Sequence, residues 1–505
     1  MSDWVAWWWI LKKIILALLT VFFTHGVSFA SSAAVWTGGH DVFNLATGIL
    51  VSLVMFLVIT LVATERVHRT LAVFFIAISL LFLNYTFGHF VPALQVLSLD
   101  QAFWAIDGEV IALLVGMMMI VWILTQTQLF EWIAVRLFAI SRGRIKMLYI
   151  LFFIITAVAS AFLDNVTTIF LMVPVAIWIC KILDLNPVRF IIPLIIASNI
   201  WGTATLIGDP PNIMIGSYAN LSFNAFITNL GFPVIIIGVI IASTLWFMMR
   251  GEFNKVKKIK NFEKTVKEMQ KKYPIKHKKL LIASLSTLAL VIIFFFLHSS
   301  FHMPAAVPAL MWAAVLALVR DRLIRRKFGR GNDSKEMMED HIHKTFSKDV
   351  EWLVIGFFIF LFMIVGAVEH SGVLDIAALA IQTTFWDNLL FCALAILWIS
   401  AIFSAFLDNI PFTAVMLPVV ANLVGFYELQ GIDATFLWWS LAFGACLGWN
   451  GTLIGASANL VAAWLLEKNK FYLTFVEYFK IGFPLMLFQV FLASFAVYHM
   501  YLQVG

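Results

Sequence analysis

Apolar runs at 43–64, 70–87, 105–127, 231–249, 280–297 and 304–319 are separated by short charged clusters, and period-2 alternation is scarce. Runs of this kind read as membrane helices, which need about 20 apolar residues, rather than as barrel strands. Two stretches break the pattern. Between Lys146 and Lys181, apolar arms at about 148–160 and 166–180 flank a polar step at Asp164-Asn165. Each arm is shorter than a full span and both flanks are basic, which predicts a re-entrant hairpin over about 148–181; a single kinked span is the competing reading. The segment 190–216 is apolar but interrupted by Gly202, Gly208, Pro210 and Pro211. Such residues break a helix and free its backbone groups, so a discontinuous helix is expected here.

Residues 350–501 then replay 106–249. The run "SAFLDN" recurs 244 positions on, "TLIG" at 205–208 recurs at 452–455, and "GFP" at 231–233 recurs at 482–484. Asp107 and Glu351 each precede their hairpin aspartate by 57 residues. A second hairpin is thus expected over about 388–424, turning at Asp408-Asn409, and a second broken helix over about 434–464, opened by Gly451 and Gly455.

Charge gives the repeat its direction. The loop 250–279 carries twelve Lys and Arg, and 320–348 is a second basic loop. By the positive-inside rule both are cytoplasmic. The run 105–127 then crosses inward, whereas its copy at 351–369 crosses outward. The two copies are inverted, as in alternating-access transporters that hold substrate between broken helices. The fold class is therefore an all-α polytopic membrane protein of two inverted-topology repeats, with about 10–11 spans plus two hairpins. The domain order is 1–30, signal-like or a first transmembrane segment; 31–105, N-terminal scaffold helices; 106–249, repeat 1; 250–279, basic loop; 280–349, linking helices and second basic loop; 350–501, repeat 2. Composition agrees: of 505 residues 62% are hydrophobic and 12% charged, against about 25% charged in soluble domains. The net charge of +6 resides mostly in the two loops and marks topology, not nucleic acid. His68 and Arg69 fall in a cytoplasmic turn where water suffices. An integral protein of the cell inner (plasma) membrane is expected.

The motifs "SAFLDNVTT", "GTATLIGDPPN", "SAFLDNIPFTA" and "LAFGACLGWNGTLIGASANL" resemble the arsenite/sodium–proton antiporter (ArsB/NhaD) branch of the ion transporter superfamily, most closely its P-protein-like permeases. The likeness covers nearly everything from about residue 43 onward. It implies a scaffold and a transport domain, a homodimer, and sites at two hairpin tips and two unwound helices. In the related dicarboxylate carriers the tips read Ser-Asn-Thr; here they are Asp164-Asn165-Val166-Thr167 and Asp408-Asn409-Ile410-Pro411.

Asp164 and Asp408 are the leading site residues, since an intramembrane carboxylate binds a cation when ionised and carries a proton when neutral. The bland alternative is that each caps the second hairpin helix, and the roles can coexist. Asn165 and Asn409 satisfy the turn or ligate. Asp209 faces the first break, opposite Ala456 in the repeat, and no Lys or Arg lies in the four motifs to offset the three carboxylates. Thr203, Thr205, Asn212, Thr452, Ser457 and Asn459 offer neutral oxygens and donors, with Thr167, Thr413 and Asn450 completing the set. The glycines and prolines at the breaks are conformational. Asp107 and Glu351 read as helix-end residues.

The leading function is an ion-coupled secondary transporter exchanging protons with sodium or another small inorganic ion. Alternatives are an arsenite/oxyanion or organic anion permease on the same scaffold, and an ion channel. Cys180, Cys392 and Cys446 are too scattered for a three-thiolate arsenic site. No GxxxxGK[ST] phosphate loop and no His/Cys or Ser/His constellation points to an enzyme. No cofactor is expected beyond sodium as a coupling ion. The expected partners are the bilayer and a small inorganic ion or oxyanion.

Overall fold

The computed structural model describes residues 68–91, 94–253, 262–328, 351–371 and 388–504, with a few positions between 47 and 57. The segment 1–30 and the second basic loop beyond 328 lie outside the described residues. Helices α1 (Arg69–Thr86), α2 (Leu99–Trp104), α3 (Gly108–Thr125) and α4 (Leu129–Ser141) lead to the first hairpin, α5 (Ile145–Phe162) and α6 (Asn165–Ile182). The first broken helix follows as α7 (Pro187–Gly202) and α8 (Pro210–Tyr218), then α9 (Phe232–Phe253) after a π-helical turn at Ile227–Gly231. Three linking helices are α10 (Phe262–Lys272), α11 (Lys278–Leu297) and α12 (Ala306–Phe328). The second half comprises α13 (Trp352–His370), the hairpin α14 (Leu389–Phe406) and α15 (Asn409–Glu428), the broken helix α16 (Phe436–Gly448) and α17 (Ser457–Lys468), and α18 (Phe475–Val504).

Among the described residues, ten helices are long and apolar enough to cross a membrane. Their outward faces are apolar too. In α11, only 33% of the residues in its hydropathic window are buried inside the protein, and Ile282, Leu285, Ile293 and Phe296 lie exposed. Such a face is at home against acyl chains.

The inversion is visible in how helices meet. The start of α3 lies at the end of α13, where a Cβ on Gly366 would touch Ala105. Conversely α1 and α13 run in the same direction: Thr70 donates to the Leu353 carbonyl at 2.8 Å, and Phe74 meets Phe360 edge-on at 4.7 Å. Helices α3 and α12 are also parallel, with Ala305 N–H on Glu109 and Gly116 against Ala309 and Leu310. The repeats exchange partners at the breaks: α17 packs on α6, and α8 packs on α15. Their ends agree, since Lys181 at the end of α6 donates to Asn469 just past α17 at 2.8 Å.

Two elements differ from their expected form. The arms of both hairpins are longer, 18 residues each for α5 and α6, because the apolar pattern carries helix up to the tip and past the basic flank. The basic stretch 250–279 is not all loop. Phe262, Val266 and Met269 form one apolar face of α10, and Val266 and Met269 are buried. Phe262 lies 5.3 Å from Phe138 on α4. Twelve cations had masked a three-residue stripe.

Helices α14 and α16 touch through backbone. A Cβ on Gly444 would lie 2.5 Å from the Leu397 carbonyl, and one on Gly448 2.5 Å from the Ala401 carbonyl. Small residues four apart allow this approach. Gly448→Val is expected to destabilise by about 1–3 kcal/mol or more through overpacking, read as a lower thermal midpoint in detergent, while Gly425→Ala, with open space around it, changes little.

Candidate functional site at the two hairpin tips

Each break is closed by four bonds in the same pattern. In repeat 1 the Thr205 hydroxyl donates to the Ala161 carbonyl on hairpin arm α5 and accepts from Gly208 N–H at 3.1 Å. The Asn212 amide donates to the Thr203 and Thr205 carbonyls at 3.0 and 2.9 Å. In repeat 2 Thr452 donates to Ala405 and accepts from Gly455 N–H, and Asn459 donates to the Trp449 and Thr452 carbonyls, both at 2.9 Å. The breaking glycines free carbonyls that would be costly to leave bare at this depth, and these side chains answer them. At the first tip the Asn165 amide nitrogen reaches Ser160 Oγ at 2.7 Å, the Gly208 carbonyl at 3.1 Å and the Ser198 carbonyl at 3.2 Å. Gly202 must be glycine: a Cβ there would lie 2.4 Å from the Asn165 side chain.

The two halves meet through buried amides. Asn199 donates to both Asn450 and Asn459 at 3.1 Å, and Asn450 donates to Gln489 on α18 at 2.7 Å. Cys446 donates across to Asn212 at 3.4 Å.

Against this symmetry the charges are lopsided. Asp164 caps α6: one oxygen accepts from Thr167 N–H at 2.9 Å, the other from the Thr167 hydroxyl at 2.5 Å. The matching residue in repeat 2 is Pro411, which has neither donor. Asp408 instead caps through Ile410 N–H at 3.1 Å, leaving its second oxygen open. Arg69 takes that oxygen at 3.4 Å and donates to Ser457 Oγ at 2.6 Å. Arg69 is therefore not a solvated turn residue. It heads α1 and its guanidinium lies over the Phe357 ring at 5.5 Å. His68 beside it is exposed. Glu351, exposed just before α13, lies within electrostatic reach of both Arg69 and Asp164. Asp107, its repeat partner, simply caps α3 through Glu109 and Val110 N–H at 3.0 Å.

Asp209 is the other asymmetry. It is fully buried, and neither carboxylate oxygen has a hydrogen-bond partner. It stands at the N-cap of α8, where Pro210 and Pro211 offer no N–H and the next amide, Asn212 N–H, bonds the Asp209 backbone carbonyl at 3.0 Å instead of its side chain. Asp164 lies within its electrostatic reach. On α15, which packs along α8, Asn409 Nδ2 and Thr413 Oγ1 are also buried and unpartnered.

The candidate residues thus divide. Thr203, which donates to Asn199 O at 3.1 Å, and Thr205, Asn212, Thr452 and Asn459 hold the breaks together, and Thr167 holds Asp164. Asp209, Asn409 and Thr413 keep unused polar capacity, and the second oxygen of Asp408 is held only by Arg69. Arg69, Asn199, Ser160, Ser198 and Gln489 belong to the same constellation and were not among the sequence candidates. Lone amides inside apolar runs were the available signal for Asn199 and Gln489; Arg69 offered none beyond its charge. Among the described residues no three of His, Cys, Asp or Glu converge to hold a metal ion, and all three cysteines are buried and free.

The citrate transporter family matches residues 59–444 of the chain. The human P protein is 33% identical over 517 residues, covering 88% of this chain but 58% of its own length, so the chain spans little more than half of that relative. The 46 kDa membrane protein of Mycobacterium leprae is 32% identical over 450 residues, covering 88% of this chain and 96% of its own. Among solved structures, the Alcanivorax borkumensis YdaH transporter superposes with a TM-score of 0.53 at 14% identity, covering 85% of this chain and 98% of the other, a likeness of fold. Inverted repeats, paired hairpins and broken helices, together with a match over three-quarters of its length, place this integral membrane protein in the citrate transporter family of membrane transporters.

Proposed function

We propose that the protein is a cation-coupled secondary transporter that exchanges protons for sodium or another small inorganic cation by alternating access. The observation that carries the reading is Asp209: a fully buried carboxylate with no hydrogen bond on either oxygen, within electrostatic reach of a second carboxylate, Asp164. An unpaired buried carboxylate costs several kcal/mol and persists only when a proton or a cation neutralises it. A group that must hold one or the other is suited to exchanging them. The absence of a three-ligand metal cluster among the described residues fits a singly charged ion better than a divalent cage. Broken helices from opposed repeats supply backbone carbonyls for such an ion.

The test is flux in proteoliposomes. Acid-loaded vesicles should release protons on addition of external sodium, with saturation, and Asp164→Asn should abolish the exchange. Proton release that ignores sodium, lithium and potassium alike would remove the reading.

Arg69 favours a second reading, in which a carboxylate substrate of the citrate kind binds between the guanidinium and the N-terminus of α17. Helix N-termini attract anions, and Ser457 at the first position of α17 already holds Arg69. Counterflow of labelled citrate in the same vesicles decides for or against it. Between the two, the carboxylates outnumber the cation: Asp408 and Glu351 share the one Arg69, and Asp164 and Asp209 add two carboxylates with no cation of their own.

A further inference from the structure

Four facts about Arg69 bear on its role at Asp408. First, it belongs to neither repeat: it heads α1, which lies along α13, while its partners Asp408 and Ser457 sit at the second hairpin tip and the second break, 339 and 388 residues away. Second, the oxygen it takes is the one that Pro411 leaves open, whereas the corresponding oxygen of Asp164 is filled by Thr167. Third, its hold is uneven. The bond to Ser457 is 2.6 Å, but the contact with Asp408 is 3.4 Å, long beside the roughly 2.7–2.9 Å of a well-formed charge-assisted bond. Fourth, a further carboxylate, Glu351, is within its electrostatic reach, so the guanidinium has somewhere to go when it leaves Asp408.

We propose that Arg69 is a tethered counter-cation, occupying Asp408 in the empty transporter and displaced toward Glu351 when the transported cation arrives. The inference rests on the cation reading above. It makes Arg69 a competitor, not a ligand: the incoming ion must replace a positive charge already in place, and the carboxylate is never left bare between turns. The stem of α1 fixes how far the guanidinium can retreat, and the Phe357 ring beneath it offers a face to a cation in either position.

The experiment is equilibrium binding of radioactive sodium to the purified full-length chain in detergent. Arg69→Gln removes the competitor and is expected to bind sodium about tenfold tighter, the effect of losing one partly screened charge contact. Arg69→Lys keeps the charge but not the planar fork and should fall between wild type and Arg69→Gln. Should Arg69→Gln not yield folded protein, Ser457→Ala loosens the shorter of the two bonds and should tighten binding by a smaller factor. Unchanged or weaker sodium binding in Arg69→Gln, with wild type binding normally, overturns the proposal and leaves the cation reading standing. If neither wild type nor variant binds sodium, lithium or potassium, both fail. Loss of labelled citrate binding in Arg69→Gln would instead assign Arg69 to the anion and overturn the counter-cation role.

Discussion

Asp209→Asn is expected to give a protein at least as stable as wild type that transports on the order of 100-fold more slowly, the scale of losing a proton-carrying group. The usual effect of mutating a buried polar residue is the reverse. Here the native side chain is the defect: a carboxylate sealed from solvent, with no N–H on Pro210 or Pro211, the Asn212 N–H taken by its own backbone carbonyl, and both side-chain oxygens unpartnered. The amide has nearly the same shape and needs no proton or ion to lie in that place. Relieving such a site commonly adds about 0.5–2 kcal/mol, read as a higher thermal midpoint in detergent. Flux should fall together with sodium-triggered proton release, because an amide neither gives up a proton nor neutralises a cation. The repeat supplies a control. Ala456 occupies the equivalent position without a carboxylate, so break 2 closes with the same Thr and Asn bonds and no charge. Asp209 is therefore not needed to build a break. A variant that unfolds, or that keeps wild-type exchange, would show the carboxylate to be structural or idle.

How much of this was readable from the chain depends on the kind of interaction. The tips and breaks were legible because the protein writes them twice. A carboxylate-amide pair between apolar arms, and Gly with Pro inside an apolar run, have few meanings in a membrane, and the repeated motifs, offset by 244 residues at the tips and 247 at the breaks, fix which residues correspond. The capping role of Asp164 followed from local sequence too, since Thr167 is three residues on. Arg69 was illegible for a physical reason. The positive-inside rule reads a cation beside a span as a topology mark, and nothing local says that the side chain folds inward to a partner 339 residues away. Pro411 in the place of Thr167 was visible as a departure between repeats, and it is what opens Asp408 to Arg69. The face of α10 was hidden similarly, because composition averages over three apolar positions on one side. Asn199 and Gln489 were lone amides in apolar runs, a pattern that had the information but was outweighed by the repeated motifs.

Asn459→Ala should be the most destabilising of the break substitutions, and more so than Asn212→Ala. A single side-chain hydrogen bond in a membrane protein is worth about 0.6 kcal/mol on average and about 1.7 at most, so one bond would not matter much. Asn459 closes three: its amide nitrogen satisfies the Trp449 and Thr452 carbonyls, and its oxygen accepts from Asn199 across the repeat boundary. The Thr452 carbonyl keeps Gly455 N–H at 3.3 Å, but the Trp449 carbonyl faces the break and loses its side-chain donor, at roughly 1–3 kcal/mol for a buried orphan, and the bond from Asn199 is lost with it. A loss of about 2–3 kcal/mol is expected, measured as a fall in thermal midpoint with no change in helix content. Asn212 closes the same two carbonyls in repeat 1, but its third partner is the Cys446 thiol, a weak donor, and its truncation should cost less. The cross-repeat bond is isolated by a double-mutant cycle. Asn199→Ala with Asn459→Ala should cost less than the two single changes added together, by about 0.5–1 kcal/mol, because each single change already breaks the shared bond. Strict additivity would mean that the two repeats are not joined there, and that the amide chain from Asn199 through Asn450 to Gln489 stabilises each half separately.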